Sequence, residues 1–220
     1  VITQKQPGDV ASEIDGEAQE LIREVVLRYF PDHGFMGEED AGQAPRGHPL
    51  DGRPYWVVDP LDGTANYLRG VPVWATLIAL AIDGKSVVSV VSAPAMGRRW
   101  WAAPDSGAFT KDIDGSTRLL KVSAIGELEN ASLSYNNLQL WDQAGKLPEL
   151  TKLSRKIWRT RAYGDFWSYM LLAEGSVDIV AEHDLKIYDI AALVPIVEQA
   201  GGQFTSLEGP LTPESSSVLA

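Results

Sequence analysis

The sequence has no cysteine, only three histidines, and no apolar run near the roughly 18 residues that cross a bilayer. Without thiols there is no disulfide framework, no thiolate zinc site and no cysteine nucleophile. The histidines (His33, His48 and His183) lack ligand-like spacing and read as loop or solvent-facing residues. Basic residues are outnumbered, with 19 Lys and Arg against 30 Asp and Glu and a formal charge of −11. Nucleic-acid backbones are held by Lys and Arg, so this balance argues against nucleic acid as a partner. No signal-peptide pattern opens the chain, and neither a membrane span nor a membrane partner is expected. A cytoplasmic location is the default expectation.

What remains is 220 residues, 45% of them hydrophobic, enough to bury a full core in one domain or two closely packed lobes. The most informative stretch is Tyr55-Trp56-Val57-Val58-Asp59-Pro60-Leu61-Asp62-Gly63-Thr64-Ala65-Asn66-Tyr67. Aromatic and β-branched residues give way to an acid and a proline, so Asp59 is expected at a strand's end. Asp59 and Asp62 then share one tight turn, where both carboxylates can face the same space. Two carboxylates forced together repel unless one takes a proton or a cation neutralises them. Oxygen-only ligands select a hard divalent ion such as magnesium, manganese or calcium. Gly63 and Thr64 add backbone N–H groups and a hydroxyl for an anion. Acid pair and anion cradle together read as a metal-assisted phosphate site, although Asp-Pro and Asp-Gly are also ordinary turn dipeptides.

Further acids have a similar setting. Glu38 lies in Gly37-Glu38-Glu39-Asp40, and Asp189 opens an apolar stretch after Tyr188. Each has a plain alternative, a solvated acidic surface for the first and a helix N-terminal acid for the second.

Periodicity predicts a helix over residues 12–29, with an apolar stripe of Ile14, Ala18, Leu21, Ile22, Val25, Val26 and Tyr29. Ser12 with Asp15 resembles a capping box. Strands are expected over 74–82 and 86–91, joined at Asp83-Gly84, a hairpin signal. Others fall at 98–103, 107–110, 117–122, 131–135, 157–161 and 176–180. Helices are expected over 146–156, 166–174 and 189–200, the last stopped by Gly201-Gly202 and interrupted by Pro195.

Three blocks, in order, resemble the inositol-monophosphatase family of magnesium-dependent phosphatases: Gly37-Glu38-Glu39, Asp59 through Tyr67, and Tyr188-Asp189 with Ala200-Gly201-Gly202. The likeness runs from Gln4 to about Pro210. Within the family it is strongest to the bacterial histidinol-phosphate phosphatases, through residues 69–78, 158–169, 191–198 and 204–207. There are departures: Leu61 stands where the family often has Ile, Tyr188 where it often has Trp, and Ala65 where relatives carry Lys or Thr. Val1 is no initiator Met, and the family's first helix is expected upstream of it.

The resemblance implies an α/β (α+β) protein, a layered α/β/α/β/α sandwich. It also implies a metal-binding half over 1–125 and a substrate-completing half over 126–220, forming one compact unit. It assigns two to three Mg²⁺ ions, with Mn²⁺ possible, to Glu38, Asp59, the Leu61 carbonyl, Asp62 and Asp189. Glu38 and Thr64 would activate the water, with Asp15 bonded to the Thr64 hydroxyl, and Gly63 and Thr64 would bind the phosphate. Arg161, Gly164, Asp165 and Glu182 would line the alcohol side, where acidic Asp165 and Glu182 suit a cationic leaving group such as histidinol. A surface ion pair with Arg161 and a helix cap at Asp165 are the plainer readings of those residues. A homodimer and lithium sensitivity are further family expectations.

Rival readings remain. Other small phosphate monoesters (inositol phosphate, fructose bisphosphate, a nucleotide 3′-phosphate) suit the same family. An aspartyl-phosphate phosphatase wants its two acids two residues apart, whereas Asp59 and Asp62 are three apart. A non-catalytic calcium- or phosphate-binding protein would not need Glu38, Thr64 and Asp15 together.

Overall fold

The computed structural model describes residues 2–6, 9–40, 52–212 and 214–220. An antiparallel pair, β1 (Ile2–Gln6) and β2 (Asp9–Ser12), leads into helix α1 (Glu13–Tyr29). A seven-stranded sheet follows, in the spatial order β3 (Gly34–Gly37), β4 (Tyr55–Asp62), β5 (Ala75–Ile82), β6 (Lys85–Ala93), β7 (Arg98–Ala103), β8 (Gly107–Lys111) and β9 (Thr117–Leu119). Its first pair is parallel and the rest form an antiparallel meander, with short helix α2 (Thr64–Leu68) between β4 and β5. Asp83 and Gly84 both have positive φ (50° and 77°), so the expected hairpin turn is present.

The second half carries β10 (Ser132–Tyr135), helices α3 (Leu138–Gln143) and α4 (Leu147–Ser154), β11 (Arg159–Arg161) and α5 (Asp165–Ala173). Then come β12 (Ile179–His183), α6 (Ile187–Ile190), α7 (Leu193–Gln199) and β13 (Ser217–Leu219). Its four-stranded sheet has the order β11-β10-β12-β13.

The layers follow from which faces are apolar. Leu77, Val91 and Trp100 on the large sheet pack with Phe166 and Met170 of α5 and Ile196 of α7, so this helix pair fills the space between the sheets. Trp141 of α3 and Leu150 of α4 close the far face of the small sheet over Leu133 and Ala181. With α1 against β4, the order is α/β/α/β/α.

Three expectations are corrected. Strand β4 does not stop at Asp59 but runs to Asp62, its pairing with β5 losing register between the two acids. Pro60 sits in that irregularity, where a strand tolerates a missing N–H donor, and its carbonyl accepts from the Thr76 hydroxyl. The helix expected over 12–29 is present as α1, but its apolar stripe is only partly covered: Asp15 and Gln19 are buried and Ala18, Ile22 and Val26 half-buried, while Ile14, Leu21, Val25 and Tyr29 are exposed. Its polar side faces inward because that side reaches the acid cluster described below. His183 is no loop residue; it is buried on β12 against the Trp141 ring.

The 189–200 helix is two helices, α6 and α7, broken at Ala191-Ala192. Pro195 stands in the first turn of α7, where its lack of an N–H is harmless, and it cannot bond back to Ala191. The Ser12 hydroxyl lies outside the described residues, so the capping box there has no structural account.

Candidate active site

Asp59 and Asp62 are presented by the end of β4. Asp59 is buried and its Oδ1 accepts from the Leu61 N–H at 2.9 Å, folding the chain back through the irregular step. Gly63 follows with φ 82°, and a Cβ there would lie 2.7 Å from the Val73 carbonyl oxygen, so only glycine fits. That residue opens α2, whose first residue is Thr64.

The Thr64 hydroxyl lies 3.0 Å from Asp15 Oδ1 and 2.9 Å from the Leu61 carbonyl oxygen. One hydroxyl has one proton, so Thr64 donates to one of these acceptors at a time. The buried α1 residue Asp15 is therefore in contact with the turn, as the family resemblance implies and spacing alone does not show.

Glu38 arrives on the 3₁₀ turn Glu38–Asp40 after β3. Gln19 of α1 lies across Gly37, where a Cβ would come within 2.0 Å of its amide oxygen, and that oxygen accepts from the Glu39 N–H at 2.9 Å. Gly37 thus lets α1 approach closely enough to hold the Glu38-Glu39 backbone. Carboxylate oxygens of Asp15, Glu38 and Glu39 lie within 4.8 Å of one another. Glu39 was not singled out from sequence, although its place in the Gly37-Glu38-Glu39 block was the available signal.

Asp189 is on α6 and its Oδ2 accepts from the Lys186 N–H at 2.6 Å. The electrostatics place these acids together. Burial pushes the Asp59 carboxyl well above its ordinary range, and the charges of Asp62, Glu38 and Asp189 push it further. Asp59 and Glu38 also share a side-chain hydrogen bond. Asp62 is raised by burial and by Asp165, against the opposing pull of the Phe166 N–H. Asp189 is raised to about 7, chiefly by burial.

Beside these acids is a cavity of about 590 Å³, lined by Asp62, Gly164, Asp165, Glu182, Asp184 and Asp189 among others. Its described lining includes no Lys, Arg or His. Glu182 is buried, accepts from the Tyr169 hydroxyl at 2.8 Å, and is raised to about 8 by burial, with Asp165 and Asp189 adding to the rise. Its Oε1 has no partner among the described residues. Asp165 is raised to about 6 by burial, while a hydrogen bond from Asn66 holds it down.

Arg161 is exposed, donates to the Thr160 carbonyl oxygen at 2.7 Å, and is not among the residues lining the cavity. Asp165 makes no cap of its own, since Gly164 takes the cap position of α5. The structure therefore links Asp15, Glu38, Asp59, Leu61, Asp62, Gly63, Thr64 and Asp189 into one cluster, of which Asp62 and Asp189 line the cavity. Gly164, Asp165 and Glu182 are on its wall.

Oxygen-only donors whose negative charges raise one another's pKa values suit a hard divalent cation. A cavity whose described lining carries carboxylates and no Lys, Arg or His also needs such a cation before it can take an anion. Fold and site together define a candidate divalent-cation centre beside a cavity.

A profile of the inositol monophosphatase family matches residues 1–220. The chain is 50% identical over 215 residues to a histidinol-phosphatase of Streptomyces coelicolor, covering 95% of this chain and 78% of that protein. It is 46% identical over 210 residues to a histidinol-phosphatase of Mycobacterium tuberculosis, with the same coverage. The solved structure of the extragenic suppressor protein suhB from Bartonella henselae superposes with a TM-score of 0.87 at 30% identity, covering 100% of this chain and 84% of that one. The chain belongs to the inositol monophosphatase family and is a phosphatase. No helix among the described residues is long and apolar enough to cross a membrane.

Proposed function

We propose that this chain is a magnesium-dependent phosphatase that hydrolyses histidinol phosphate to histidinol and inorganic phosphate, in histidine biosynthesis. The observation that carries this reading is the charge of the cavity's described lining, which is acidic throughout: Asp62, Asp165, Glu182, Asp184 and Asp189. A phosphate enters such a place only with cations beside it, and a cationic alcohol is favoured on the acidic wall behind it. The named relatives support the same substrate.

In this reading Glu38, Asp59, the Leu61 carbonyl, Asp62 and Asp189 hold two to three Mg²⁺ ions, with Mn²⁺ an acceptable substitute. When bound, the ions neutralise the phosphoryl oxygens and lower the pKa of water. The Gly63 and Thr64 N–H groups hold the phosphate. Glu38 and the Thr64 hydroxyl orient a water, and Asp15 accepts the proton relayed through Thr64. A bond forms from the water oxygen to phosphorus as the bond to the alcohol oxygen breaks, and that oxygen takes up a proton from a solvent water. No covalent enzyme intermediate is needed. Gly164, Asp165 and Glu182 contact the alcohol. Residues 1–125 supply every metal ligand but Asp189, and 126–220 supply Asp189 and the alcohol side of one compact, homodimeric cytoplasmic unit.

Steady-state kinetics with histidinol phosphate, inositol 1-phosphate, fructose bisphosphate and a nucleoside 3′-phosphate tests this. We expect the highest kcat/KM for histidinol phosphate, and no turnover in EDTA. Equal or higher kcat/KM for inositol phosphate would reject the substrate assignment.

A further inference from the structure

We propose that Asn66 is a positioning residue that aims the Asp165 carboxylate at the leaving-group side of the cavity and so sets the preference for a cationic alcohol. This rests on the reading of Asp165 given above. Asn66 stands on α2, two residues beyond Thr64, and belongs to the metal-binding turn by sequence. Its contacts, however, cross to the other half of the molecule.

The Asn66 side-chain amide nitrogen donates to the Val73 carbonyl oxygen at 2.9 Å and to Asp165 Oδ2 at 2.6 Å. An amide nitrogen has two N–H bonds, so both donors are used. A carbonyl and a carboxylate only accept, which leaves one orientation for the amide. The Asn66 backbone is held as well: its N–H donates to the Gly63 carbonyl at 2.9 Å, and its carbonyl accepts from Arg69 and Val71, each at 3.0 Å. The donor is therefore fixed before Asp165 meets it.

Asp165 needs such a partner. It has φ 50°, a left-handed conformation that Asp adopts more readily than most residues, and follows Gly164 at φ 87°, so the turn rather than a helix cap sets where the carboxylate starts. Among the described residues, Asn66 is the side chain that hydrogen-bonds the Asp165 carboxylate. With Oδ2 occupied, Oδ1 is the oxygen left for a substrate cation. Gly63 fits in the same corner, where a Cβ would lie 3.4 Å from Asp165 Oδ2. One amide therefore sets the distance between the phosphate turn and the group that reads the alcohol.

The test is a double-mutant cycle of Asn66→Ala and Asp165→Asn, with the isosteric Asn66→Asp as a second probe. Histidinol phosphate is compared with glycerol 2-phosphate, a small neutral alcohol's ester, across a magnesium titration. For Asn66→Ala we expect KM for histidinol phosphate to rise about tenfold, the effect of losing one charge-assisted hydrogen bond. Its kcat should fall less than about threefold, with kcat/KM for glycerol 2-phosphate and the magnesium half-saturation changed by less than about threefold. The double variant should discriminate no worse than Asp165→Asn alone. If Asn66→Ala fails to fold, Asn66→Asp carries the test, because it keeps the shape and sets a carboxylate against Asp165.

Equal losses on both substrates, or a shifted magnesium half-saturation, would make Asn66 a brace of the metal turn and overturn the proposal. Losses that add in the double variant would overturn it too. If Asp165→Asn leaves the substrate ratio unchanged, the reading of Asp165 itself fails and takes the proposal with it. If Asp165→Asn alters the ratio and neither Asn66 variant does, only the proposal falls.

Discussion

The Phe166 N–H donates to Asp62 Oδ2 at 2.8 Å, joining residues 104 positions apart. Phe166 is the second residue of α5, so the unsatisfied N–H end of a helix from the second half points at an acid from the first. That contact offsets part of the burial and repulsion that raise the Asp62 carboxyl. Asp62→Asn keeps an oxygen for the Phe166 N–H while removing the charge. Turnover at fixed magnesium should fall at least about a thousandfold, the scale of losing one electrostatic element of a phosphoryl-transfer site. Thermal unfolding in EDTA should not fall below wild type, since one of several mutually repelling charges is gone. Wild-type kcat in the purified variant would remove Asp62 from the metal site.

The acids also dictate how stability depends on pH when metal is removed. Asp165, Asp189 and Glu182 titrate at about 6, about 7 and about 8 in the folded protein, above ordinary carboxylate values. Raised carboxylates mean that the folded state binds more protons than the unfolded one, so stability falls as pH rises. The loss begins near the unfolded value of about 4 and is complete above about 8. In EDTA the Tm should therefore decline between pH 5 and pH 8, and magnesium should flatten or reverse that slope by binding the ionised form. A Tm that rises across this range in EDTA would contradict the assigned directions.

Gly37 is required by contact rather than by backbone angle. A methyl group there meets the Gln19 amide oxygen at 2.0 Å and would displace that side chain from the Glu39 N–H. Gly37→Ala should destabilise by about 2 kcal/mol through overpacking and weaken magnesium activation. Gln19→Ala in the same chain should restore part of the stability. Denaturant unfolding of the three variants checks this, and no rescue would mean that the cost arises elsewhere.

The local parts of this site were legible in the sequence because they lie within a few residues of one another. Asp59, Asp62, Gly63 and Thr64 occupy one stretch, and acid spacing with a glycine carries its chemistry openly. The five-layer arrangement and the meeting of Glu38 and Asp189 with that stretch came from family likeness, since spacing gives no distance between separated segments. Long-range contacts stayed hidden for the same reason. Asn66 reaches Asp165 across 99 positions, and nothing near either residue signals the other. Periodicity found helix α1 but could not name its buried face: Asp15 and Gln19 point inward for chemistry and positioning, leaving Leu21 and Val25 outside. His183 misled by rarity, since a lone histidine in a strand can pack against Trp141 as readily as face solvent.

The most direct measurement is anomalous diffraction from crystals soaked in manganese, with histidinol phosphate added. The account predicts at least two manganese peaks, within bonding distance of carboxylates from the set Glu38, Asp59, Asp62 and Asp189, with the phosphate beside Gly63 and Thr64 and the amine toward Asp165 or Glu182. Manganese bound elsewhere, with those four carboxylates free of metal and the phosphate outside the cavity, would contradict it.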